Sequence, residues 1–279
     1  MPVSHCIAYL SPAGTTRLVA QTIAERLLQL DCRVEMLDLA GLTAPGLSAA
    51  CTDLPERCCL WLGSPVYCDH AVPIVETFVR NLPDSCHGYS VPFVTWGGVT
   101  SGLALPELAG QLESRGFVCI GAAKVLAEHS STWSASIPMA AGRPDAHDLQ
   151  QLSSLVDRIV DKLKNEVPLR LAGEQLDYLS EAQRTASMGK SLALVKAALP
   201  PLEVDQALCS KCGLCAAQCP MKCIRLKPYP ELGAECIRCL QCVRKCPEKA
   251  FLFDAEFLYA RIVEMARMSS EEKVSAFFC

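Results

Sequence analysis

Eight cysteines in the last third of the chain have a spacing that points to metal chemistry. They form two runs of the pattern C-x-x-C-x-x-C-x-x-x-C-P, namely Cys209, Cys212, Cys215 and Cys219, then Cys236, Cys239, Cys242 and Cys246. Each cysteine of the second run follows its counterpart by 27 residues, so the segment is an internal repeat with its thiols in register. Because dense, regular thiols in a non-secreted chain are typical metal ligands, we expect two metal centres here.

Iron–sulfur clusters and structural zinc are the two kinds of centre that such thiols serve. Three thiolates on one tight loop match three corners of an iron–sulfur cube, whereas a fourth ligand from that loop would strain it. Structural zinc sites use pairs of cysteines, often with histidine. This segment has triplets, each followed by Cys-Pro, and it contains no histidine. The spacing therefore favours iron–sulfur clusters, with zinc as the alternative.

Residues 204–253 resemble the bacterial ferredoxins that hold two 4Fe-4S clusters, because both cysteine motifs are complete. In that pattern the fourth cysteine of each run serves the other cluster. The resemblance implies one ligand set of Cys209, Cys212, Cys215 and Cys246, and another of Cys236, Cys239, Cys242 and Cys219. It also implies one-electron transfer. Cys223, which has Ala250 at its matching place in the second run, is predicted to be a small core residue.

A turn rich in hydroxyl groups near the start of the chain is a second candidate site. An apolar run ends there, a helical pattern follows, and the candidate residues are Ser11, Ala13, Gly14, Thr15 and Thr16. Free backbone N–H groups and the helix dipole make such a turn an anion site. The chain has no G-x-G-x-x-G fingerprint, so the turn favours a single monophosphate over a dinucleotide.

This turn resembles the phosphate loop of flavodoxins, T-x-T-G-x-T, at Ser11, Gly14 and Thr16, and departs from it at Ala13. Two later loops resemble the flavin-contacting loops of that fold, with the candidate residues Ser64, Pro65, Val66 and Tyr67, then Trp96, Gly97, Gly98 and Gly102. Open α/β sheets bind ligands at the carboxyl ends of their strands, and an aromatic ring stacks well on a flavin. The resemblance implies bound FMN; the alternative is a flavodoxin-like scaffold that no longer binds flavin.

The elements that must position these residues alternate along the first 165 residues. Strand patterns occupy 3–10, 33–39, 58–63, 91–96 and 117–126, and helical patterns occupy 15–30, 73–81, 105–115 and 145–166. Only a weak connection separates the second and third strands. This order predicts an α/β fold, a flavodoxin-like doubly wound sheet of five parallel strands, followed by a small α+β ferredoxin domain with two 4Fe-4S clusters.

We divide the chain into four predicted parts: a flavodoxin-like domain at 1–166, a helical linker at 167–203, the ferredoxin domain at 204–253, and a helix with a tail at 254–279. Fifty residues bury too little apolar surface to fold alone, and we expect the two clusters to hold the ferredoxin domain together.

Composition excludes several classes of protein. The 279 residues carry a net charge of −4, which offers no surface for nucleic acid. No apolar stretch approaches the ~20 residues that would span a bilayer, and the first residues do not resemble a signal peptide. The scattered remaining cysteines suit a reducing compartment, and we expect a cytoplasmic protein.

Together these features predict an electron-transfer protein that passes electrons between FMN and two 4Fe-4S clusters to partner redox proteins. One alternative is an iron–sulfur flavoprotein oxidoreductase that reduces a small molecule or a partner's cofactor at FMN. A second is a cluster-based sensor or structural module without flavin. The chain has no G-x-S-x-G or H-E-x-x-H motif, so no catalytic residue is predicted, and the oligomeric state stays open.

Overall fold

A computed structural model of the chain describes residues 3–55, 57–83, 88–165 and 170–279. The first part forms one main sheet, whose strands are β1 (Ser4–Tyr9), β2 (Val34–Asp38), β3 (Cys58–Tyr67), β4 (His70–Ala71), β5 (Tyr89–Trp96), β6 (Val118–Cys119) and β7 (Ala122–Leu126). The order β2-β1-β3-β5-β7 is parallel throughout. This is the strand order of flavodoxin-like doubly wound folds, and the predicted fold class is confirmed.

Helices cover both faces of the sheet; they are α1 (Thr15–Gln29), α2 (Ala44–Thr52), α3 (Pro73–Arg80), α4 (Ala104–Ser114) and α5 (Ala146–Lys164). On one face α1 and α5 bury apolar residues such as Val19 and Ile159, and on the other α3 and α4 bury Phe78 and Leu108. Because both faces are covered, the central strands are apolar along most of their length.

Two elements differ from the sequence-based expectation. The weak connection between β2 and β3 contains α2, which has proline in its first turn and little amphipathic pattern. The expected fifth strand is divided between β6 and β7 at Gly121, where a Cβ would lie 2.6 Å from Cδ1 of Ile159. Gly121 therefore lets α5 pack directly against the chain at the break.

The connector, residues 170–203, contains a short 3₁₀ helix (Gly173–Leu176), α6 (Glu181–Met188) and α7 (Leu192–Ala198). Ser180 caps α6 and accepts the N–H of Gln183, the capping-box arrangement that starts many helices. The predicted boundary at 166/167 lies outside the described residues.

The iron–sulfur segment, residues 204–253, consists of short elements: β8 (Glu203–Val204), α8 (Leu214–Ala217), β9 (Ile224–Leu226), β10 (Pro230–Leu232), α9 (Gln241–Lys245) and β11 (Phe251–Leu252). β9 pairs with β10 and β8 pairs with β11, both antiparallel. Its small core consists largely of cysteines.

The end of the chain returns to the first sheet. After α10 (Ala255–Met268), the tail, residues 269–279, forms β12 (Ala276–Phe278), which pairs antiparallel with β7. The segment expected as a simple tail thus adds an edge strand to the main sheet. Among the described residues no helix has the length and apolar character needed to cross a membrane.

Candidate cofactor sites

A cavity of about 580 Å³ opens at the carboxyl ends of β1, β3, β5 and β7. Eight of the thirteen predicted flavin residues line it: Ala13, Thr15, Thr16, Pro65, Val66, Tyr67, Trp96 and Gly97. Its size is within the range of pockets that hold drug-sized ligands. The structure therefore brings three separate sequence motifs to one site.

The turn before α1 has its backbone free to receive an anion. Gly14 precedes the helix with a positive φ of 100°, and no atom lies within 4 Å of the place where its Cβ would stand. Two hydroxyls have internal partners, because Ser11 accepts the N–H of Arg17 at 2.9 Å and Thr16 bonds to Thr95 at 2.8 Å. Thr15 and the first N–H groups of α1 are the donors that this turn could offer to an anion.

Ser11, Gly14, Ser64, Gly98 and Gly102 do not line the cavity. Ser64 is fully buried, where its hydroxyl accepts the N–H of Val72 and donates to the carbonyl of Pro65. Gly102 has a φ of 54°, and a Cβ there would lie 2.2 Å from the carbonyl oxygen of Asp69. These two residues shape the cavity loops and do not face the cavity.

The lining of the cavity includes the rings of Tyr67, Trp96 and His129. Trp96 is buried, and its Nε1 has no hydrogen-bond partner among the described residues. Burial lowers the pKa of His129 to about 4, so the ring is neutral and its Nδ1 accepts the N–H of Ser131. Burial also raises the pKa of the Tyr67 hydroxyl, and the nearby Cys239 thiol adds to this. Tyr67 therefore lies close to both the cavity and a predicted cluster ligand.

A roof from distant parts of the chain covers the cavity. It comprises mainly apolar residues of the connector, the iron–sulfur segment and α10, among them Val195, Leu199, Ile237, Leu240, Leu258 and Ile262. Sequence reasoning missed these residues, because no local pattern tells which distant side chains close over a strand edge.

Polar contacts attach the connector beside the cavity. Nδ1 of His70 lies 2.9 Å from the Glu107 carboxylate, and Nε2 lies 3.1 Å from the carbonyl oxygens of Ser187 and Lys190. Nζ of Lys190 also reaches the Asp69 carboxylate at 2.6 Å. Burial alone would lower the pKa of His70, but the Glu107 contact and the two carbonyls raise it. All of these partners are acceptors, so the contacts favour the imidazolium form.

A buried ion pair attaches the tail to β7 of the main sheet. Glu271 lies 2.6 Å from Nζ of Lys124, and both residues are buried. The same carboxylate accepts the hydroxyl of Thr100 at 2.8 Å and both the N–H and the hydroxyl of Ser101. Because Thr100 lines the cavity, the tail fixes one of the cavity loops.

The predicted first ligand set surrounds one small cavity, which Cys209, Cys212, Cys215 and Cys246 line together. Cys246 accepts the N–H of Ala250 at 3.4 Å, and Cys212 is exposed. The predicted second set surrounds another, lined by Cys219, Cys236, Cys239 and Cys242, with Cys223 beside them. Cys236 accepts the N–H of Arg238 at 3.4 Å.

The two cysteine loops share one backbone path. Left-handed residues recur 27 positions apart, at Lys211 and Arg238, Gly213 and Leu240, and Lys222 and Lys249. Such turns direct backbone N–H groups and thiols inward, and an all-thiol donor set suits iron–sulfur clusters. Within the described ranges no three His, Cys, Asp or Glu residues are arranged to hold a single metal ion.

The second cysteine cavity and the strand-end cavity share a wall. Leu202, Ile237 and Leu240 line both of them. The carbonyl of Pro220, next to Cys219, also accepts the N–H of Gly41 at 2.7 Å, and Ile237 packs in the core of the first domain. The second cysteine loop is thus part of the wall of the candidate flavin site.

Comparison with known families identifies the iron–sulfur part of the chain. The 4Fe-4S binding domain family, Fer4, matches residues 202–225. No curated protein sequence matches the chain.

Similar solved structures include rubredoxin oxygen:oxidoreductase from Desulfovibrio gigas, with 21% identity and a TM-score of 0.45 over 59% of this chain and 37% of that one. A flavodoxin from the domain Archaea has 19% identity and a TM-score of 0.42 over 58% of this chain and 99% of its own. The apo NADH:FMN oxidoreductase EmoB has 19% identity and a TM-score of 0.45 over 63% and 100%. The chain therefore spans little more than a third of the D. gigas protein.

The strand order of the main sheet identifies the first part, and the Fer4 match identifies the second. The chain joins a flavodoxin-like α/β domain and a 4Fe-4S ferredoxin-type domain in one polypeptide.

Proposed function

We propose that this chain is an electron-transfer protein that passes electrons between FMN and two 4Fe-4S clusters, and from them to partner redox proteins. The observation that carries the proposal is the shared wall of Leu202, Ile237 and Leu240 between the strand-end cavity and the second cysteine cavity. This wall brings a candidate flavin site and a candidate cluster site into direct contact.

The residues of the strand-end cavity would hold FMN in the following way. The N–H groups after Gly14 and the hydroxyl of Thr15 would bind the phosphate, and Tyr67 and Trp96 would contact the ring. The apolar roof would limit the access of water to the ring. FMN exchanges one or two electrons, whereas each cluster exchanges one, so the combination suits conversion between two-electron and one-electron donors.

The eight cysteines supply four thiolates to each cluster. Without iron, burial raises the pKa of Cys239 to about 11 and that of Cys242 to about 12. These thiols lose their protons on binding iron, so cluster assembly releases protons and is favoured at higher pH.

Anaerobic reductive titration of the loaded protein tests the proposed function. We expect about four electrons per chain, two for FMN and one for each of two clusters. Bleaching of the flavin and of the cluster absorbance identifies the groups that accept them. Uptake of only two electrons, with unchanged cluster absorbance, would contradict the proposal.

A second candidate function is an oxidoreductase that reduces a small organic acceptor at FMN. The cavity extends from the strand ends to Leu258 and Ile262 of α10. This apolar part offers space for a small acceptor beside FMN and therefore favours the second function. Steady-state turnover with a panel of flat organic acceptors, compared with reduction of a one-electron protein acceptor, distinguishes the two functions.

A further inference from the structure

We propose that His129 donates a hydrogen bond from Nε2 to the ring of FMN in the strand-end cavity and thereby binds the reduced form more tightly than the oxidised form. This inference rests on the proposed function, because it assumes FMN at that site. It assigns a ligand-binding role to a residue outside the predicted set of flavin residues.

The two ring nitrogens of His129 have different surroundings. Nδ1 accepts the backbone N–H of Ser131 at 3.2 Å, so the proton of the neutral ring is on Nε2. Among the described residues no group bonds to Nε2, and the protein does not enclose this atom. Since His129 lines the strand-end cavity, its Nε2 is a free donor at the cavity wall.

The ring of His129 packs against a loop that is predicted to contact flavin. A Cβ on Gly97 would lie 2.5 Å from Cδ2 of His129, the carbon bonded to Nε2, and 2.7 Å from Cγ. Only a residue without a side chain leaves room for the ring here. Gly97 follows Trp96 at the carboxyl end of β5, and both residues line the cavity. Nε2 is therefore close to two of the predicted flavin residues.

Hydrogen bonds fix the backbone that carries this ring. The N–H of His129 donates to the carbonyl of Met139 at 2.9 Å. The carbonyl of His129 accepts both the N–H and the hydroxyl of Thr132, each at 2.9 Å. The same hydroxyl accepts the N–H of Met139 at 3.0 Å, and Thr132 is buried. A donor held in this way loses little conformational freedom when a ligand binds.

Other polar side chains of the cavity lining are less available to a ligand. The hydroxyls of Thr16 and Thr100 bond to other side chains, each at 2.8 Å. Nε1 of Trp96 is unpaired, but it is enclosed by the protein. The carbonyl oxygens of a flavin ring need donors when they leave water for a largely apolar cavity, and Nε2 of His129 offers one.

This donor would affect the two redox forms of FMN unequally. The reduced ring carries more negative charge on its polar edge than the oxidised ring does, and a hydrogen bond to a charged acceptor is about twice as strong as one to a neutral acceptor. Nε2 of His129 would therefore favour the reduced form and raise the flavin potential. The imidazole keeps its proton throughout.

Two amide variants separate this role from a structural one. In His129→Gln the amide N–H can reach the place of Nε2. In His129→Asn the amide reaches only the place of Nδ1, where its oxygen can still accept the N–H of Ser131. His129→Asn should bind oxidised FMN roughly two- to tenfold more weakly and reduced FMN roughly ten- to a hundredfold more weakly. Such a difference of about tenfold lowers the two-electron potential by about 30 mV. His129→Gln should keep most of the affinity and the potential.

Anaerobic fluorescence titration measures the affinity for oxidised FMN, and spectroelectrochemistry of the loaded chain measures the potential. His147 in α5 is exposed and provides the control, because His147→Asn should change neither quantity. An unchanged potential in His129→Asn would overturn the inference and leave the proposed function intact. A larger effect in His129→Gln than in His129→Asn, or loss of FMN from both variants alike, would also overturn it. Failure of the unmodified chain to bind FMN would instead contradict the proposed function.

Discussion

Gly102 affects the shape of the cavity loops and does not itself line the cavity. Gly102 resembles a flavin-contacting glycine in the sequence, yet the structure gives it a steric role. A side chain there would meet the backbone oxygen of Asp69 at 2.2 Å, and the φ of 54° disfavours any residue with a Cβ. Because Asp69 lines the cavity, this close approach sets the distance between two of its loops.

Replacing Gly102 by alanine should destabilise the protein by roughly 2 kcal/mol or more, since strain and the backbone collision add. Gly110 in α4 is the matched control, because no atom lies within 4 Å of its Cβ position. Gly110→Ala should be neutral or stabilise by up to ~1 kcal/mol. Urea unfolding measures both, and equal effects at the two positions would refute the steric role of Gly102.

The sequence predicts the position of site residues better than the direction of their side chains. Tyr67 and Trp96 were identifiable because each stands at the carboxyl end of a strand. The hydroxyl of Thr16 is predicted to be a phosphate donor and Ser64 to be part of a flavin-contacting loop, but their hydroxyls bond to Thr95 and to the N–H of Val72. Spacing places a residue at a loop, whereas packing decides which of the available partners its hydroxyl takes.

At the level of elements, His70 couples the connector to the first domain. Its ring lies between the Glu107 carboxylate and the carbonyls of Ser187 and Lys190, beside the Asp69–Lys190 ion pair. The folded-state pKa is raised above its ordinary value of 6.5. The stabilisation is therefore fully present below pH 6.5 and is lost as the pH rises through the folded-state pKa.

We expect a protease to cleave the connector faster at pH 8 than at pH 6. The measured quantity is the ratio of the cleavage rate of the unmodified chain to that of a His70→Gln variant at the same pH. The ratio removes the protease's own pH dependence. In the variant the neutral amide cannot form the imidazolium contacts. The two chains should therefore be cleaved at similar rates at high pH. A ratio that stays constant across this range would contradict the coupling.

The tail is a structural element of the candidate flavin site, since its Glu271 is buried against Lys124 and the loop at Thr100 and Ser101. Burial would raise the pKa of Glu271, but the charge of Lys124 and the hydrogen bonds lower it. Its contribution to stability is present above its unfolded pKa and is lost as the pH falls through the lowered folded-state pKa.

Glu271→Ala should destabilise the protein by about 3–5 kcal/mol, because it leaves the Lys124 ammonium buried without its partner. FMN should also bind more weakly, since the loop at Thr100 loses its anchor. The exposed neighbour provides the control, and Glu272→Ala should change stability by less than ~0.5 kcal/mol. Calorimetry and flavin fluorescence measure the two effects; unchanged FMN affinity in Glu271→Ala would refute the anchoring role.

The main strands were predictable because buried parallel strands are continuous apolar runs bounded by turn residues. α2 was not, because its residues lack a polar face and include proline and glycine. β12 was also not predicted, because its three residues, Ala-Phe-Phe, are too few to show the alternating pattern of a strand. Its pairing with β7 depends on a return of the chain after the iron–sulfur segment, which local patterns do not contain.

In the whole molecule, the iron–sulfur segment lies in the chain between two parts of one sheet, because β12 follows it and pairs with β7. The segment also supplies the shared wall of the strand-end cavity. The roof of the strand-end cavity therefore depends on the fold of a segment whose small core consists largely of cysteines.

Removal of iron should therefore destabilise both the iron–sulfur segment and the candidate flavin site. A chelator applied to the loaded protein should speed hydrogen exchange across residues 204–253, since metal binding supplies much of the folding free energy of such segments. FMN should then dissociate faster, while exchange in α1 and α5 stays slow. Unchanged FMN release after complete loss of iron would contradict the dependence of one site on the other.

The proposed function is tested most simply by the iron, sulfide and flavin content of the chain prepared without oxygen. We expect about eight iron atoms, about eight sulfides and one FMN per chain, from two four-iron clusters and one flavin. Zinc in place of iron, or four iron atoms with no flavin retained after addition of FMN, would contradict it.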